Sequence, residues 1–301
     1  MSAATNEPVV SQPSEAAEPS RSWWQFSLRT FFVAITLLAL ALGWFFTGPE
    51  KQRRIIAELR ERGAYVLFEM DDPLAPPYDG WIPEAYFKEV EVVDLPATGA
   101  NACVGLARQF PRIRPLSLAN SDISDDGLAG IEDLGALDSL SLHVTNVGAR
   151  GLAHVAKLPR LQRLLLGYTK VTDADLLPLA DCPTLEQLCL MHTQLGDEAM
   201  DSLAQISTLR TLVLSGTRVS GRRLAALKKL KSLEEIYLDR LPLSNADIEV
   251  LAEFPALVKV SVEQTKVTSQ ALESLRRSRT IRTVDGNDFT LSRELPTPSS
   301  Q

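Results

Sequence analysis

Three cysteines in 301 residues, Cys103, Cys182 and Cys189, are too few and too scattered for a disulfide framework or a zinc site. No Gly-rich phosphate loop, HExxH or GxSxG is present. Histidine is equally scarce. His154 falls on the outer helix of its repeat, and His143 and His192 follow strands two repeats apart, so all three read as surface histidines. There is no excess of basic charge: 31 Lys and Arg against 38 Asp and Glu leave a formal charge of −7, and nothing points to nucleic acid. Basic residues cluster only at 218–231 and 276–282, where they read as solvated helix faces. Asp125, Asp126, Asp173 and Asp197 stand at helix starts, where carboxylates favour the helix dipole without any catalytic role. No catalytic residue, cofactor or metal is called for, and the reading is of a protein that is not an enzyme.

Residues 1–20 contain no Lys or Arg and little to bury, the composition of a disordered tail. Residues 31–46 (FFVAITLLALALGWFF) then run without a charge, and Thr30 and Thr47 extend the run to 30–47. A helix of that length reaches roughly 27 Å, enough for a thin bilayer, and Trp23, Trp24 and Trp44 suit the interfacial belt. The segment reads as a retained single-pass anchor within 21–49. A cleaved signal peptide is the competing reading, because Ala39-Leu40-Ala41 resembles a cleavage site. The count of Arg21 and Arg29 before the span, against Lys51, Arg53, Arg54, Arg60 and Arg62 after it, favours a cytoplasmic C-terminal bulk. Several of the later charges lie on a folded helix, where they count less, so the side stays open.

What the chain has in abundance is a period. Leu137, Leu161, Leu185, Leu209, Leu233 and Leu257 stand 24 residues apart, with Ile113 and Ile281 in the same frame. A fixed period in that range marks a stacked solenoid. Each unit alternates like a strand, turns, and then spaces apolar residues three apart, as Leu176, Leu179 and Cys182 do, in a helical stripe. Thr172 is the expected N-cap, its hydroxyl meeting an amide of the first turn, with Ser124, Ser220, Ser244 and Thr268 in the equivalent place. Seven full units begin at Ile113. A degenerate unit lies one residue off frame at Val90, and a partial one at Ile281 breaks at Gly286. The helix at 50–63 (Ile55, Ile56, Leu59, ended by Gly63) and the strand at 64–68 supply the capping unit that an end repeat requires. Domains follow at 1–20, 21–49, 50–88, 89–285 and a tail at 286–301.

These units resemble the leucine-rich repeat, L-x-x-L-x-L-x-x-N/C-x-L, with Thr145, Thr169, Thr193, Thr217, Thr265 and Ser121 in the Asn/Cys place. A hydroxyl there can bond the backbone of its own turn. Leu241-Pro242 breaks the pattern, and a local irregularity is expected at 239–243. Together with the WWQFSLRTFFVAITLLALALGWF string, the repeats look like bacterial membrane-anchored leucine-rich-repeat proteins of the planctomycete type. That resemblance implies an α/β horseshoe, with a parallel concave sheet and short convex helices, carried on an N-terminal anchor. It implies no reaction.

Residues two, four and six after the first Leu of each unit point out of the sheet. The middle position lines Leu165, Cys189, Val213 and Tyr237 into an apolar ladder of roughly 14 Å. Met191 lies beside it, Arg163 at one end and Asp239 at the other. This row is the candidate contact surface for a protein or peptide partner, with Tyr237 its best anchor. Convex packing as a structural envelope protein, and an adaptor recruiting substrates to a separate enzyme, are the alternatives.

Overall fold

The computed structural model describes residues 54–68, 90–94, 98–110, 113–286 and 290–292. All of them fall within the unit spanning Pro49–Gln301. The expected tail at 1–20 and anchor at 30–47 lie outside the described residues, as does the Pro-rich loop at 71–78. Among the described residues, no helix is long and apolar enough to cross a membrane.

One sheet runs in chain order through eleven strands: β1 (Tyr65–Phe68), β2 (Val90–Asp94), β3 (Pro115–Ser117), β4 (Ser139–Ser141), β5 (Arg163–Leu165), β6 (Gln187–Cys189), β7 (Thr211–Val213), β8 (Glu235–Tyr237), β9 (Lys259–Ser261), β10 (Thr283–Asp285) and β11 (Thr290–Ser292). From β2 to β10 every neighbour is parallel. From β3 onward each residue pairs with the one 24 positions ahead, as in Leu164↔Leu188↔Leu212. The pairing Val93↔Leu116 is one residue shorter, which is the frame slip read at Val90. β1 and β11 close the two ends antiparallel. Within the tail at 286–301, residues 290–292 pair with the backbone edge of β10, an otherwise open row of donors and acceptors.

The helix before β1 covers residues 54–61 and buries Ile55, Ile56 and Leu59. Gly63 follows it at φ 87, a left-handed stop that a glycine takes without steric penalty. Opposite the sheet, α-helices (Ala100–Ala107, Ala149–Val155, Ala199–Leu203, Asn245–Glu249, Ser269–Arg276) alternate with 3₁₀ segments (Ile131–Asp133, Asp173–Asp181, Gly221–Lys229, Val250–Glu253). Pro178 sits inside Asp173–Asp181, where it has no N–H to give an α-helical bond. Leu176, Leu179 and Cys182 are buried, and so are their equivalents Leu152, Met200 and Leu224. They meet the central strand residues Leu140, Leu164, Leu188, Leu212 and Ile236 in one continuous core. Each such side chain contributes about 1.5–3 kcal/mol before chain entropy is subtracted.

The turn after each strand is stereotyped. Asn120, Val144, Tyr168, His192, Arg240 and Gln264 all adopt φ between 53 and 60, and Gly216 takes the same place at φ 70. The left-handed backbone costs a non-glycine residue about 1–2 kcal/mol. At Asn120, Val144, Tyr168, His192, Gly216 and Arg240 it is held because the amide reaches the next unit: Val144 N–H to Gly167 O at 3.0 Å, His192 N–H to Ser215 O at 2.9 Å. Ser121, Thr145, Thr169, Thr193, Thr217 and Thr265 each donate their hydroxyl to the carbonyl three residues back, at 2.6–2.7 Å. The hydroxyl thus does within its turn what the repeat pattern demands.

At 239–243 Arg240 keeps φ 60 and Leu241 is buried where the others place Thr or Ser, but the Leu243 N–H turns to Leu241 O at 2.8 Å, a bond not seen in the corresponding turns of the other described units. What the Leu-Pro pair removes is a hydroxyl and an amide donor, not the course of the chain.

Three caps are local, as expected: Thr172 and Ser244 form capping boxes with Asp175 and Asp247, each hydroxyl set against the third-residue amide, and Thr268 accepts from Ala271 N–H at 3.4 Å. A second set of bonds joins the units. The N–H groups of Ser124, Gly148, Gly196, Ser220 and Thr268 go to Asn101, Asp125, Asp173, Asp197 and Asn245 of the preceding unit, at 2.7–3.1 Å. Ala149 and Gly221 stand where those acceptors would be, and there Thr172 and Ser244 turn to Asp175 and Asp247 of their own unit. Glycine three after the cap makes room for the visiting acceptor in two units: a Cβ on Gly127 would lie 2.0 Å from Asn101 Oδ1, and one on Gly151 2.7 Å from Asp125 Oδ1.

These bonds carry a pH dependence. Asp197 is held below its ordinary value of 3.8, first by the Ser220 N–H and, against a small desolvation, by the Ser220 hydroxyl and by Arg223 and Arg222. A carboxyl with a depressed folded pKa stabilises fully above its unfolded value and loses that contribution as pH falls through the folded one. Asp197→Asn is therefore expected to lower the urea midpoint at pH 7, with the gap closing as pH drops below 3.8. A gap of constant size across that range would assign the effect to hydrogen-bond geometry, not to charge.

Candidate functional site

The register places the ladder as the spacing required. Leu165 pairs with Cys189, Cys189 with Val213, and Val213 with Tyr237. Their immediate chain neighbours Leu164, Leu188, Leu212 and Ile236 are fully buried toward the helices, so the four side chains lie on the opposite, open face. Leu165, Val213 and Tyr237 are half-buried there. Cys189 is a correction: it is only 9% exposed, because a small side chain between the larger Leu165 and Val213 of the flanking strands is shaded by both. Burial pushes its thiol up, which keeps it protonated and unreactive.

The flanks of the row are more polar and more occupied than sequence alone suggested. Arg163 is exposed at the N-terminal end and donates through Nε to Gln187 Oε1 at 2.7 Å. Met191 is half-buried beside Gly167, where a Cβ would meet its Cγ at 2.8 Å and the His143 ring at 2.4 Å. Asp239 is engaged on both oxygens. Oδ2 accepts from Ser215 Oγ at 3.0 Å, and Oδ1 accepts from Ser261 Oγ and, at 2.8 Å, from Glu263 N–H. That carboxylate staples three consecutive units. At the far end Tyr237 donates to Glu235 Oε2 at 3.0 Å, and Lys259 Nζ stands 5.1 Å from the Tyr237 ring centroid and 3.9 Å from Asp285. The Lys259 ammonium is held above its ordinary value, first by its hydrogen bond with Tyr237 and, against partial desolvation, by Asp285 and Glu235. The open face is thus apolar in the middle and polar toward the C-terminal strands.

The histidines do not converge. His154 Nδ1 meets Glu132 at 3.2 Å on the helix side, and His143 Nδ1 meets Gly167 O at 3.1 Å. His192 stacks on Tyr168 with ring centroids 4.6 Å apart. Among the described residues no group of three or more His, Cys, Asp or Glu is placed to hold a metal ion. On the helix face the basic cluster is partly neutralised by neighbouring units, with Arg223 on Asp201 and Lys228 on Glu253, each at 2.7 Å. Such exposed pairs contribute at most about 1 kcal/mol.

Short parallel strands on one side, short helices on the other and a hydroxyl-locked turn between them define a parallel solenoid of 24-residue units. The family model described as "Leucine Rich repeat" matches residues 181–204, one full period, and the same geometry recurs in every unit from β3 to β9. The chain thus carries a stretch that matches the leucine-rich repeat family, within a run of units of the same length and pairing. No curated protein matches the sequence. Among solved structures an internalin (inlF) from Listeria monocytogenes strain 4b F2365 is similar, at 24% identity and a TM-score of 0.45. The match covers 61% of this chain and 56% of that one, little more than half of the internalin's length.

Proposed function

We propose that this chain is a non-enzymatic recognition module of the bacterial membrane-anchored kind, tethered through 30–47, which binds a protein or peptide on the open, concave face of its sheet. The observation that carries this reading is the in-register row Leu165, Val213 and Tyr237, apolar side chains held half-exposed on β5, β7 and β8 with the shaded Cys189 of β6 between the first two. Apolar groups in a contiguous line on a fixed scaffold present complementary shape at little entropic cost. Tyr237 adds an amphipathic anchor already oriented by Glu235 and Lys259. The packing of helix faces between copies draws no comparable support, since the cations of 218–231 are partly spent on neighbouring units.

Photo-crosslinking in cells from a reactive side chain at Val213, with Lys229 on the helix face as control, tests it. A discrete partner captured from Val213 alone is the expected result. Capture only from Lys229, or only of the chain's own copies, would overturn the reading in favour of a structural role.

A further inference from the structure

The turn edge beside that face carries a second pattern, independent of the ladder. Positions seven and nine after the first Leu of each unit form its two exposed rows. Across the five units from Leu161 to the one beginning at Leu257, these rows contain Lys170, Arg218, Arg240 and Lys266 and not one Asp or Glu. In a chain with a formal charge of −7, that is a local reversal of sign. Lys170, Arg218 and Lys266 are exposed, and among the described residues no ion pair joins them.

The carboxylates on either side are largely committed. Asp239 staples its three units on the sheet side, and Asp173 and Asp197 hold cap amides on the helix side. Glu263 stands exposed at the C-terminal end, and Asp197 and Glu198 on the helix side. These carboxylates keep their charge, but among the described residues none is paired with Lys170, Arg218 or Lys266.

The strip also has an apolar end and an ordered spine. Tyr168 is 53% exposed, and Val144 in the unit before it 48%. Tyr168 stacks on His192, whose Nε2 lies 3.4 Å from Arg240 Nη1, and Arg240 Nε donates to Gln264 Oε1 at 2.8 Å. The chain of contacts skips a unit because Gly216 has no side chain: a Cβ there would fall 2.4 Å from the His192 ring. Arg240 is thereby held in place while its neighbours in the strip stay free.

We propose that this edge docks an extended acidic segment of a partner protein. Lys170, Arg218 and Lys266 lie two units apart in turn, about 10 Å at the usual strand spacing. A segment in polyproline II geometry advances about 9 Å in three residues and returns to the same face, so an acidic side chain at every third position meets all three cations. An aromatic or aliphatic side chain at one end packs on Tyr168. A strip one turn wide, with the sheet face on one flank and helix-start carboxylates on the other, fits one extended chain rather than a bilayer plane or a duplex.

The test uses the full 301-residue chain and a fluorescein-labelled decapeptide with Glu at every third position and one terminal Trp. Its Gln counterpart and phosphatidylglycerol vesicles serve as alternative probes. Fluorescence anisotropy at low salt is expected to show binding of the Glu peptide that weakens as salt is raised. Affinity should fall at least about tenfold with the Gln peptide and with K170E/R218E/K266E, and remain unchanged with the helix-face control K229Q. The neutral triple Gln variant should give an intermediate loss, and circular dichroism should show both triples folded. Equal binding of the two peptides, indifference to the triple substitutions, or binding of the vesicles alone would overturn the proposal. Loss of peptide binding only in V213R would also overturn it while leaving the sheet-face reading intact.

Discussion

Leu212→Ala is expected to destabilise the repeat domain by about 3 kcal/mol, read as a lowered urea midpoint with the slope nearly unchanged. Leu212 is fully buried at the centre of β7, in register between Leu188 and Ile236, and belongs to the core shared by all units. Truncation removes about three methylene equivalents from contact on both sides and leaves a cavity between two stacked units, for which leucine truncations in cores lose about 2–5 kcal/mol. In a solenoid each unit is stabilised mainly by its neighbours, so a weak interface in the middle also loosens the coupling between the halves. Thr211→Ala, one residue away but half-exposed on the open face, is the control and should shift stability by no more than about 0.5 kcal/mol. If the two substitutions had equal effects, the inside-outside alternation assigned to β7 would be wrong.

Val213→Arg addresses function on the same strand. The guanidinium reaches water while its methylene stem lies across the sheet, so the far-UV spectrum should be unchanged. Against a partner seated on the ladder, however, it places a bulky charge between Cys189 and Tyr237, the middle of the row. Affinity for the partner captured by crosslinking should fall about 100-fold or more, the scale seen when a central contact is replaced by an unpaired buried charge. Retention of wild-type affinity with a folded variant would move recognition off the sheet face.

Much of this architecture was legible in the period alone. Apolar residues at fixed phase within 24 positions must share a face in every unit, and stacking units in register is the way to bury that face continuously. The frame slip at Val90 appeared as a 23-residue pairing, and each threonine in the turn found its carbonyl. What escaped was whatever depends on distance across units. The caps were read as local, hydroxyl to amide, yet most of their bonds span 23 residues. A signal was present: Asp175 and Asp247 occur three after the cap only where Ala149 and Gly221 leave no acceptor in the unit before. In the candidate site the ladder's register was readable, but the shading of Cys189 and the engagement of Asp239 depend on neighbours' sizes and reach. Likewise the Tyr168–His192–Arg240 chain hinges on the missing side chain of Gly216, which no periodicity announces.

The handover of cap acceptors from unit to unit gives the solenoid a grammar of succession. Excision of 176–199 would leave Thr172 its own Asp175, set Asp173 at the former place of Asp197, facing Ser220, and the join would read correctly. Excision of 222–245 would instead put Gly221 before Thr268, whose own third residue is Ala271, and strand an amide with neither partner. Units of identical length and fold are therefore not interchangeable words. Each one ends by specifying what kind must follow, so growth by duplication is confined to joins where donor and acceptor types agree.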